Sequence, residues 1–197
     1  MKRNIIVIVA FMTLIIGSSH PAAAIVIPGY TCYTINVTPV VQARSNWCWA
    51  ACAEMTGKAL YSSTDRTQYD AAYYFFHNYT TDEGVYINES AEVTSYIAYN
   101  TKYLTFSYSA LGFYTIQSHI QSGYPVQAAL GQYSGGMRTG GHLVVVKGTA
   151  YNTATGAEQS VEYINPYNGN TYCCLYTAFC NGSYNGRIYD QSAYVSS

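Results

Sequence analysis

Apolar and polar positions change rhythm several times along this chain. Ile5 to Ile16 is a continuous apolar run, preceded by Lys2-Arg3 and followed by Ala22-Ala23-Ala24. Tyr30 to Val41 alternates loosely and contains β-branched residues, which predicts an extended lead-in; Pro39 keeps it from being a central strand. Ser45-Asn46 then precede Trp47-Cys48-Trp49-Ala50-Ala51-Cys52-Ala53-Glu54-Met55. The alanines favour a helix here, Ser45 or Asn46 can cap it, and Gly57 frays its end. Thr67 to Asn78 and Ser90 to Tyr99 are weaker helical stretches. The second half changes character. Leu104 to Tyr108 reads as a strand, Tyr114 to Gln121 as a helix closed by Gly123, and Val126 to Leu130 as a strand entered through Pro125. Gly131 to Gly141, with five glycines, reads as a loop. Leu143 to Val146 is a buried strand, Ser160 to Ile164 its hairpin partner, and Arg187 to Val195 the last strand. Helices first and an antiparallel sheet afterwards predict an α+β domain. No repeat, low-complexity tract or linker divides it.

The first segment is an address rather than part of the fold. A positive start, a short apolar run and a small-x-small motif form the pattern of a secretory signal peptide over residues 1–24. The run is short for a membrane span, which needs ~20 apolar residues. Residues 25–197 then form one domain. Loss of Lys2 and Arg3 takes the formal net charge from −1 to −3. Export predicts a secreted or periplasmic protein with no membrane attachment after cleavage, folding where disulfides persist. Only 10% of the 197 residues are charged and 16% are aromatic, with 23 tyrosines. That composition excludes a disordered chain. The near balance of acidic and basic residues gives nothing to release counterions from phosphates, so a nucleic-acid partner is not expected. Tyrosine instead covers apolar area while keeping a wet hydroxyl.

Four residues carry the candidate chemistry. Cys48 stands at the predicted start of a helix, where unpaired N–H groups and the dipole favour a thiolate. His142 follows Gly140-Gly141 at the entry of the apolar strand; His77 and His119 sit in ordinary helical surroundings. Asn165 ends the next strand before Pro166, which holds it extended, and its amide can accept the second imidazole N–H. Gln42, six residues before Cys48, offers an amide N–H₂ that can join the Cys48 backbone N–H around an oxyanion.

Taken together, Gln42, Cys48-Trp49-Ala50, Gly141-His142 and Asn165-Pro166 resemble the papain superfamily of cysteine peptidases. The spacing of six, the Cys-Trp-Ala helix start and the Cys…His…Asn order are the points of likeness. The Trp47-Cys48-Trp49-Ala50-Ala51 form looks most like its compact bacterial branches, bacteriocin-processing-like peptidases and the secreted effector peptidases of plant pathogens. The resemblance covers Gln42 to about Tyr167. It implies a papain-like fold, with the nucleophile at a helix start packed against a C-terminal antiparallel sheet. It also implies Cys48 as nucleophile, His142 as base, Asn165 as orienting residue, Gln42 as oxyanion donor, and a thiolate–imidazolium pair that forms a thioester. Protein or peptide substrates follow, with a host target or inhibitor protein as a further partner and no cofactor. An amidase, deamidase or acyltransferase would share all these residues, and a non-enzymatic binding domain could keep the fold. The long inhibitory pro-region usual in the superfamily has no counterpart before Cys48.

Five further cysteines are an odd number, so one stays unpaired. Cys52, on the core side of the Cys48 helix, is the natural buried thiol. That leaves Cys180 to bridge Cys173 or Cys174 and Cys32 to bridge the other. The adjacent Cys173-Cys174 pair lacks the spacing of a zinc site. Asn36, Asn78, Asn88 and Asn181 each begin an N-x-Ser/Thr glycosylation pattern.

Overall fold

The computed structural model describes residues 23–196. The signal-peptide segment 1–22 lies outside the described residues, and the expected cleavage point after Ala24 falls inside the first strand. The elements run β1 (Ala23–Ile27), β2 (Tyr30–Thr34), α1 (Cys48–Leu60), α2 (Gln68–Phe76), α3 (Ile87–Ile97), β3 (Leu104–Ser107), α4 (Phe113–Gln121), β4 (Val126–Ser134), β5 (Met137–Asn152), β6 (Ser160–Ile164), β7 (Thr171–Leu175), α5 (Tyr176–Asn181) and β8 (Ile188–Val195). The architecture is α+β, as the order of patterns predicts.

The helices follow from their local chemistry. α1 is rich in alanine and continues through Gly57, because that glycine marks a contact and not an end. A Cβ on Gly57 would run into the side chain of Ile97, so α1 and α3 pack at their closest here. Asp70 Oδ2 accepts the Thr67 N–H at 2.8 Å and Glu89 Oε2 the Tyr86 N–H at 2.6 Å, fixing the starts of α2 and α3. α1 has no such help. Its N-cap is Trp47, which makes no side-chain cap bond, so the expected Ser45 or Asn46 cap is not formed. The indole N–H groups of Trp47 and Trp49 are instead committed to the carbonyls of Thr81 (2.7 Å) and Glu83 (2.9 Å).

The eight described strands form one antiparallel sheet in the order β1-β2-β5-β4-β8-β3, with β6 and β7 added beside β5. β5 is the spine. Its first part pairs with β4, its last part with β2, and Val145 to Ala150 carry β6 on the opposite edge. The glycine-rich segment 131–141 is not the expected loop. β4 and β5 run through it as a hairpin, and only Gly135-Gly136 turn, both at positive φ as a tight two-residue hairpin requires. Trp47, Met55, Ile97, Ile116, Leu130 and Val144 are buried in the core that joins the helices to the sheet. The pattern also left β1, β7 and α5 unassigned.

All six cysteines are free thiols. β5 and β6 stand between β2 and β7, so Cys32 lies about three strand spacings, roughly 14 Å, from the Cys173-Cys174 pair. A disulfide needs Cα atoms within about 7 Å. The expected bridge from Cys32 is therefore not made.

Candidate active site

Cys48 is delivered by the first residue of α1, and the segment before it is anchored on both sides. Buried Gln68 donates to the Val41 carbonyl (3.0 Å) and accepts the Ala43 N–H (2.8 Å), while its own N–H is held by Glu54 (2.7 Å). The Asn46 N–H donates to Asp82 Oδ1 at 2.8 Å, and the Asn46 side chain donates to the Asp82 carbonyl at 2.9 Å. The Gln42 N–H donates to the Pro166 carbonyl at 2.8 Å and ties this segment to the turn that carries Asn165.

His142 and Asn165 come from neighbouring strands, β5 and the end of β6. His142 Nε2 lies 2.7 Å from Asn165 Oδ1. The same oxygen accepts the Tyr167 backbone N–H at 3.0 Å, which fixes it as the carbonyl end of the amide. Nε2 must then carry the proton, leaving Nδ1 as the basic nitrogen of the neutral ring. Asn165 is thus both a turn residue before Pro166 and the partner of His142.

The two halves meet at the sulfur. The backbone amide of Leu143, the residue after His142, lies close enough to Cys48 to favour its thiolate, as do the amides of Trp49 and Cys48 itself. Burial pushes the Cys48 thiol up; these amides and the charge of Arg187 pull it back. Burial likewise pushes the His142 imidazole down, Asn165 raises it and Arg187 lowers it again. Burial therefore favours the uncharged thiol and imidazole over the ion pair expected from the sequence.

Gln42 sits differently from expectation. Both amide hydrogens are engaged, with Nε2 donating to the carbonyls of Arg44 (2.8 Å) and Ser45 (2.7 Å), and its Oε1 is buried without a partner. The other two histidines stand apart from this group. His77 is the left-handed C-cap of α2, and His119 packs on the Tyr194 ring at 5.1 Å. Cys52, one turn beyond Cys48, is fully buried and its thiol is held well above its ordinary range by that burial.

The motif reading missed Arg187 and the Leu143 amide. Arg187 precedes β8, whose Ile188 lies level with Gly131 and Gly141 across β4, so the strand register brings it to the His142 end of the sheet. A motif search had no reason to select an isolated arginine 45 residues from His142.

A protein-family model, the Peptidase_C39 like family, matches residues 34–191. The chain belongs to the Peptidase_C39-like family. It is accordingly a cysteine peptidase of the papain-like superfamily, acting on protein or peptide substrates. The match begins in β2 and ends in β8, so it takes in Gln42, Cys48, His142 and Asn165 together. No curated protein matches the chain.

Proposed function

We propose that the protein is an exported thiol peptidase, secreted or periplasmic, in which Cys48 attacks the substrate carbonyl, His142 moves the proton and Asn165 orients His142. The observation that carries this reading is the Asn165 Oδ1–His142 Nε2 bond, next to a Leu143 amide that acts on the Cys48 thiol. With Nε2 engaged by Asn165, Nδ1 accepts the thiol proton as Sγ bonds to the carbonyl carbon. The tetrahedral oxyanion is met by the Cys48 N–H at the uncapped start of α1. Gln42 is the second donor, turning one N–H from a loop carbonyl to the oxyanion. His142 then protonates the leaving amine, a thioester forms on Cys48, and water attacks it with His142 again as base. The compact secreted branches seen in the Trp47-Cys48-Trp49 motif support the export reading, with residues 1–24 as the signal peptide. A host protein is then the natural target or inhibitor.

Turnover of an unbiased peptide mixture by purified variants tests the assignment. Cys48→Ala and His142→Ala abolish cleavage while keeping the wild-type thermal unfolding curve. Asn165→Ala lowers kcat roughly ten- to a hundredfold, the worth of a hydrogen bond to a charged ring. Undiminished cleavage by Cys48→Ala, or equal loss of folding in all three, contradicts the assignment.

A further inference from the structure

The wall of the cleft just before Cys48 carries an unsatisfied positive group. Gln42, Ala43, Arg44, Ser45 and Tyr167 line a pocket of about 240 Å³. Two of its residues are tied to the turn that carries Asn165, the Tyr167 N–H donating to the Asn165 oxygen and the Gln42 N–H to the Pro166 carbonyl. The Arg44 guanidinium packs over the ring of buried Trp47, 5.3 Å from its centroid. Its Nε is buried and has no acceptor, and Gln42 Oε1 on the same wall is buried and has no donor.

The other basic side chains put Arg44 in context. Lys58, Arg138 and Lys147 are paired with Glu54, Asp190 and Glu162. Arg66 bonds the Tyr96 carbonyl and packs against the rings of Tyr96 and Tyr99, and Lys102 lies over Tyr124. Among the described residues, Arg44, Arg66, Lys102 and Arg187 form no ion pair; of these, Arg44 lines the pocket and Arg187 lies near enough to Cys48 and His142 to act on both. Asp82, on the loop bonded to Asn46, accepts the Asn46 N–H. In so charge-poor a molecule, a guanidinium without a carboxylate in the pocket, and a second one acting on Cys48 and His142, favour a negatively charged ligand. A guanidinium fork recognises a carboxylate better than any other peptide group.

We propose that the pocket between Arg44 and Tyr167 binds an aspartate or glutamate side chain of the peptide beside the scissile bond, making Arg44 a specificity-determining residue. This rests on the peptidase reading above and names its substrate class. The carboxylate lies against the guanidinium, the Tyr167 ring covers the methylenes, and a backbone N–H of the bound chain meets Gln42 Oε1. Arg187 draws the same acidic peptides toward the cleft from its other side.

Matched peptide pools differing only in Asp/Glu against Asn/Gln test it, read both as cleavage by the wild-type chain and as capture by Cys48→Ala. The wild type cleaves the acidic pool at least about tenfold faster, with the preference at one position relative to the cut. Arg44→Ala brings the two pools to similar rates, and Arg44→Glu reverses the order toward a Lys/Arg pool. Cleavage with no acidic preference, or a preference that survives Arg44→Glu, overturns the role of Arg44 and leaves the peptidase reading standing. Preferential capture of the acidic pool by Cys48→Ala, abolished by adding Arg44→Glu, with no cleavage by the wild type, supports the pocket and sinks the peptidase reading.

Discussion

His142 depends on what surrounds its ring. Burial and Arg187 hold the imidazole below its ordinary range, and Asn165 works in the opposite direction. A general base must be neutral, so the acid limb of kcat/KM falls below about pH 6.5, the ordinary imidazole value. Arg187→Gln removes a lowering influence and moves that limb upward. Asn165→Ala removes a raising one and moves it downward. A pH–rate series on one peptide checks both signs, and shifts in the reverse directions count against the assignment. At this scale the sequence was legible where chemistry restricts residue type. A cysteine at a helix start, a glycine-flanked histidine and an asparagine before proline are recognisable one by one. Arg187 was not, because its place depends on strand register across β4 and β8. Nor was the engagement of the Gln42 amide by carbonyls two and three residues away, since any Gln before a helix can point several ways.

Among the elements, the helices were the most legible: α2 to α4 mix buried with exposed or half-buried positions, while α1, buried without a break from Trp49 to Gly57, is marked by its alanines. Periodicity failed at glycines. Gly57 looked like the end of α1 but is the point where Ile97 packs in. Gly57→Ala gains helix propensity yet forces that contact apart, with a net loss of about 1–3 kcal/mol by overpacking. Urea unfolding measures this as a lower midpoint at unchanged slope; an unchanged midpoint would show that Ile97 yields freely. Gly131, Gly140 and Gly141 looked like loop and are strand, since a hairpin needs positive φ only at Gly135-Gly136. β7 and α5 were illegible because Thr171 to Asn181 is short, with neither a clean period nor a turn signal to bound it. On β7, Cys173 and Cys174 point to opposite faces, and the Cys174 thiol is affected by its neighbour Cys180.

For the molecule as a whole, the division into layers is what assembles the site. The helical layer brings Cys48, the sheet brings His142 and Asn165, and the buried core between them keeps the two in register. The sheet itself contains one buried acid, Glu162, which accepts a hydrogen bond from Thr34 at 2.9 Å and pairs with Lys147 at 3.4 Å. It joins β2, β5 and β6 around the spine. Glu162→Ala strands Lys147 and costs about 3 kcal/mol, the usual penalty for breaking a buried pair. Chemical denaturation reads this directly, and a loss below about 1 kcal/mol would place the pair among exposed ones. The central claim is that the helix and the sheet meet in a covalent reaction at one sulfur. Acid-quenched turnover with a cleavable peptide, followed by intact-mass analysis and peptide mapping, tests it most directly. The prediction is an acyl adduct on Cys48 that forms in the wild type and is absent from His142→Ala. Cleavage with no adduct on Cys48, or with the adduct on another cysteine, contradicts it.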